Sequence, residues 1–153
     1  MKHKTIFAAL CLVSAVVCTA ADAFQFAVWP GVPNYTNYDV SGLKLGVPAS
    51  GGDASVWGWE LALLSASSRD VTGLQTSVLF NESSWVDGMQ ASLLVNQVRD
   101  QYSSTVQFGL INLNGSLQFG LVNASPEGVQ FGFLNFNENG FLPVFPLVNF
   151  SVK

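Results

Sequence analysis

Three stretches in the second half of the chain spell one phrase. Thr105–Asn112, Ser116–Asn123 and Gly128–Asn135 each run apolar-Gln-Phe-Gly-apolar-apolar-Asn after their opening residue. Looser copies open at Gly42, Gly58, Gly73 and Gly88. A phrase repeated this often means one structural unit stacked on itself, and that constrains the fold more than any composition value.

Within each copy, apolar and other residues alternate with period two, the mark of a strand with two unlike faces. One face carries Leu43, Trp59, Leu74, Met89, Val106, Leu117 and Val129, and two residues on Phe108, Phe119 and Phe131; it holds no charge. The other face carries Lys44, Glu60, Gln75, Gln90, Gln107, Gln118 and Gln130, then a column of small residues: Gly46, Ala62, Ser77, Ser92, Gly109, Gly120 and Gly132. The small column predicts a bend or a close backbone approach. The glutamines keep their face wet or pair between neighbouring strands. The asparagines that close the copies suit turns, because Asn tolerates left-handed dihedrals.

Length argues about topology. Ser116–Asn123 as a straight strand runs about 26 Å at ~3.3 Å per residue. The link Ala124–Glu127 reaches at most about 15–18 Å, too short to carry the chain back for a parallel repeat. A coil bent at the central glycine would be shorter, but its interior would hardly admit Phe119 together with Leu117 and Leu121. An antiparallel neighbour needs only a hairpin. The expectation is an all-β, repeat-built antiparallel meander, closed into a curled sheet or a small barrel. Phe24–Trp29 adds an amino-terminal strand, and Pro143 and Pro146 make the last segment an edge strand or cap.

The amino terminus reads as a helical export signal. Lys2, His3 and Lys4 are followed by an apolar run from Ile6 to Val17 and by small-residue boxes that allow cleavage after Ala20 or Ala23. The organisation expected is a signal peptide over 1–23 and one β-repeat domain over 24–153. Cleavage removes Cys11, Cys18 and His3, the chain's only cysteines and only histidine. The mature chain then has no disulfide, no thiolate or imidazole metal ligand and no histidine base. The serines lack an activating partner, and the acids, among them Asp39, Asp70 and Asp87, fall at turns. No catalytic, cofactor-binding or metal-binding residue is expected. Nucleic acid is an improbable partner for a chain of net charge −4 without a basic patch.

Trp29-Pro30, the Gly42-Leu-Lys-Leu-Gly opening, the Gln-Phe-Gly copies and the Leu142–Asn149 ending together resemble the bacterial surface repeat-containing proteins. The resemblance covers most of the mature chain, and the late copies are its specific part. Ala62, Ser77, Ser92 and Glu60 depart from its pattern. It implies a place at or beyond the cell envelope and lends no activity.

Only 10% of the residues are charged and mean hydropathy is +0.35, against roughly a quarter charged in ordinary domains. The uncharged face is therefore either an enclosed core or lipid-facing. Trp59 belongs by default to a core; Trp57 and Trp85 stand at strand starts. The function expected is a non-enzymatic, secreted or cell-surface β-repeat protein with a structural or interaction role and an unidentified surface partner. The alternative is a small outer-membrane β-barrel.

Overall fold

The structure, a computed structural model, describes residues 23–152; the expected export signal over 1–23 lies outside the described residues except for Ala23. The rest is all-β and built from the repeat. Eleven strands follow in order: β1 (Phe24–Ala27), β2 (Val40–Gly46), β3 (Ala49–Ala62), β4 (Ser65–Thr76), β5 (Phe80–Ala91), β6 (Val95–Val98), β7 (Thr105–Phe108), β8 (Ile111–Leu113), β9 (Leu117–Ser125), β10 (Val129–Asn137) and β11 (Val144–Phe150). One 3₁₀ turn, Asn34–Asn37, sits between β1 and β2.

Successive copies pair in parallel and in register. Gly42, Gly58, Gly73 and Gly88 stand opposite one another, and Phe108, Phe119 and Phe131 do the same. The chain is a β-solenoid, so the antiparallel meander is corrected. The small closed barrel falls with it, because β1 and β11 end the strand order at opposite extremes and do not pair. Only β11 runs antiparallel, against β10. It forms the expected edge cap, with Pro146 inside it.

A parallel return fits the short link because the strand is not straight. In the coil that starts at Leu117, the chain runs Leu117–Gly120, bends, and returns along Val122–Ser125. The first run stacks on β7 and the second on β8. Each run is only about 13 Å long at ~3.3 Å per residue, which the following link spans easily. The supposed obstacle, Phe119 inside a narrow coil, does not arise, since Phe119 points outward.

Early coils have a third side. β4 passes through a corner at Arg69, so Ser65–Ser68 forms the second side of one coil and Asp70–Thr72 its third before Gly73 opens the next. Val40, Val56, Val71 and Val86 line that third side from within and are fully buried. Gly73 has φ 130°, a region that L side chains avoid. A Cβ there would overlap the carbonyl oxygen of Gly58 in the coil beside it. The repeat opens on glycine because the chain turns this corner against its neighbour's backbone. Later coils lose the third side: successive rows are 15 residues apart at Gly58, Gly73 and Gly88, but 11 apart from Val106 to Leu117 and 12 from Leu117 to Val129.

Candidate functional site

The interior belongs to the amides. Gln75, Gln90, Gln107, Gln118 and Gln130 are fully buried, as are Asn96, Asn112, Asn123 and Asn135. The expectation of a wet glutamine face is overturned; the alternative, amides pairing between strands, holds. Gln130 Nε2 donates to Gln118 Oε1 at 3.0 Å and Gln118 Nε2 to Gln107 Oε1 at 2.9 Å. The chain continues from Gln107 to Gln90 at 2.9 Å and from Gln90 to Gln75 at 2.7 Å. Each Nε2 also reaches a second-side carbonyl of its own coil, as Gln107 reaches Leu113 O at 3.0 Å and Gln130 reaches Phe136 O at 2.8 Å. Glutamine is thus a strut across the coil as well as a rung between coils. This double use satisfies an amide whose unpaired burial would cost several kcal/mol.

The asparagine ladder runs the other way. Asn96 donates to Asn112, Asn112 to Asn123 and Asn123 to Asn135, at 2.8–2.9 Å. Each also takes the carbonyl at the bend of the following coil, as Asn123 does with Phe131 O at 2.9 Å. These asparagines lie in extended strands and close the corner by hydrogen bonding, so the left-handed reading of this column is corrected. Among the described residues, those other than glycine with positive φ are Asn114 and Leu147. At the ladder ends, Asn81 Oδ1 and Gln130 Oε1 are buried and accept no hydrogen bond.

The glutamine ladder ends on ions. Gln75 Nε2 donates to Glu60 Oε2 at 2.8 Å. Glu60 Oε1 also accepts from Ser50 Oγ at 2.6 Å and Ser68 Oγ at 2.8 Å. Lys44, one row further, lies 4.0 Å from Glu60 with both side chains fully buried. Its ammonium donates to Ser68 Oγ at 3.0 Å and to Thr36 O at 3.4 Å. Burial lowers the Lys44 pKa below its ordinary value, and the Glu60 charge raises it in part. Sequence reasoning did not single out this pair. Its signal was the column itself, where a lysine and a glutamate stand in adjacent rows of an otherwise amide file.

The apolar columns face outward. Phe108 stacks on Phe119 at 5.0 Å and Phe119 on Phe131 at 5.1 Å, their rings within 6° of parallel. Trp59, assigned to a core by default, is 60% exposed, and Phe133 at the bend is 70% exposed. Trp57 and Trp85 are partly exposed as well. The two described surface arginines stand off this face, at the corner between the second and third sides. Arg69 pairs there with Asp70 at 3.0 Å and Arg99 with Glu82 at 2.6 Å.

Little here suits acid–base chemistry. An open cleft of about 380 Å³ lies beside Gln101, Pro126, Phe136 and Pro143, and Glu138 is the one ionisable residue lining it. A smaller cleft of about 110 Å³ is lined by Arg69, Arg99 and Glu82, and both arginines are already ion-paired. Among the described residues, no three His, Cys, Asp or Glu side chains gather as a metal site. No helix among them is long and apolar enough to cross a membrane. Set against known proteins, the chain matches no family model, no curated protein and no solved structure.

Proposed function

We propose that the protein is an exported, non-enzymatic β-repeat scaffold at the cell surface, which works by presenting its uncharged outer face to another surface. One observation carries the reading: the amides that would solvate an ordinary exterior are turned inward, and Leu, Phe, Met and Val columns stand outside. A contiguous apolar face at the top of the range that monomers leave exposed is often an interaction site. The interior amides are engaged in the ladders, which suits a scaffold rather than a reaction centre. The export signal read from the sequence supplies the location.

The test joins location with occupancy. Protein recovered from the envelope or the medium should lack Cys11 and Cys18 by mass. In intact samples, hydroxyl-radical footprinting should find Met89 and Trp59 protected, and dispersal in detergent should expose them. An intact chain in the cytoplasm, or equal oxidation before and after dispersal, defeats the reading.

A further inference from the structure

We infer that the occupant of the first-side face is a second copy of this chain, packed sheet to sheet. The inference rests on the proposed function, since it names the surface that the outer face meets. Three observations lead to it.

The first is extent. The rows from Leu43 to Val129 are seven coils spaced ~4.8 Å apart, about 30 Å from end to end. β11 adds Val148 and Phe150 opposite Phe131 and Val129, so the cap continues the face instead of closing it. With the residues at the bend the run is about six residues, at most about 20 Å wide at ~3.3 Å per residue, which makes the strip at most about 600 Å² in projection. That is the top of the range a monomer leaves exposed. It approaches the ~800 Å² of accessible surface that each partner contributes to a stable interface.

The second is periodicity. Outward, mostly apolar columns repeat at the coil spacing, and the rings of Phe108, Phe119 and Phe131 stack nearly parallel, each within 6° of the next. Two faces with the same period interdigitate row by row about 10 Å apart, as paired sheets in steric zippers do. A two-fold axis makes the contact self-complementary and closes it at two chains.

The third is charge. The first-side face carries none, so two chains of net negative charge meet with their charges turned away. Among the described residues, no cation stands on this face for an anionic bilayer, because Lys44 points inward and Arg69 and Arg99 are paired at the opposite corner.

The experiment measures the solution mass of the purified chain by light scattering across a wide dilution series, without detergent. The native chain should be two-chain in mass. Met89→Lys and Phe131→Lys, each placing a charge on the face, should shift it to one chain while keeping the β-type circular dichroism spectrum. Thr72→Lys, on the third side, should leave two chains. A measurement free of variants supports these: Met89 oxidation in the native chain should accelerate on dilution. A native chain that stays single at every concentration overturns the inference, as does equal dissociation by Thr72→Lys. A single chain that binds phosphatidylcholine vesicles through Met89 and Phe131 also overturns it, by making lipid the occupant. In that case the surface-scaffold reading stands, because the outer face is still the part that engages. If the face is protected in cells but the pure chain is single in water, the second copy falls and the scaffold remains.

Discussion

Gln118 Nε2 donates to Gln107 Oε1 at 2.9 Å across two coils, and both side chains are fully buried. The same Gln118 accepts from Gln130 at 3.0 Å, so one amide joins three layers of the stack. In a fold whose buried apolar cluster is Val56, Val71, Val86 and Val98, such amides carry specificity as well as cohesion. A slip of one residue would put apolar side chains inside and leave the amides unmatched.

Gln118→Leu should therefore destabilise strongly although it replaces a polar residue with an apolar one. It strands Gln107 Oε1 and one Gln130 N–H in the interior, at about 1–3 kcal/mol for each group left unpaired. Phe119→Ala, one residue along but outward, should cost less, mainly the ~0.5–1.5 kcal/mol of each of its two ring stacks. Urea unfolding of the two variants decides the order. A larger loss for Phe119→Ala would mean that the apolar side is the core after all.

The small column gives a sharper contrast. Late coils step three residues from Gly109, Gly120 or Gly132 to the following asparagine, whereas early ones step four, from Ser77 to Asn81 and Ser92 to Asn96. In the tighter corner, a Cβ on Gly120 would overlap the Gly109 carbonyl and the Asn112 amide. Gly120→Ala should cost about 1–3 kcal/mol, as overpacking does. Ser92 Oγ is buried without a hydrogen-bond partner, so Ser92→Ala should be neutral or slightly stabilising. Equal denaturation midpoints for the two variants would refute the corner geometry.

The period-two pattern made the strands legible, the repeated phrase made the stacking legible, and the glycines announced the bends. What the pattern could not carry was its sign. Alternation separates two faces without saying which is inside. The apolar face could be a core or lipid-facing, and for a chain in water the usual rule that apolar residues are buried placed Phe119 within and Gln118 without. That inversion also closed off the parallel coil, since a short bent coil has room for amides but not for phenylalanine. Lys44 and Glu60 held the missing information. Opposite charges in adjacent rows of a glutamine column are neighbours only if successive copies stack in parallel and in register.

That ion pair stands where the column would otherwise hold two more amides. Removing one partner leaves a buried charge, so Lys44→Gln or Glu60→Gln alone should cost about 3–5 kcal/mol. The double variant Lys44→Gln/Glu60→Gln would extend the ladder and should recover most of that loss. A double-mutant cycle on unfolding free energies measures the coupling. Additive losses would show that the two charges do not depend on each other.

The same pair predicts the alkaline behaviour. Burial lowers the Lys44 pKa in the folded chain, while in the unfolded chain it titrates near ~10.4. Between the lowered value and the ordinary one, the unfolded state binds more protons. Stability must then rise with pH across that window, reaching its full gain above the ordinary value and losing it as pH falls through the lowered one. The two chains differ only at Lys44 and Glu60, so a comparison between them isolates the pair. Urea midpoints measured from neutral pH into the alkaline range should therefore climb for the native chain relative to Lys44→Gln/Glu60→Gln. Two curves that stay parallel throughout would mean that Lys44 keeps its ordinary affinity for the proton, and that its ammonium is not held in the dry interior described.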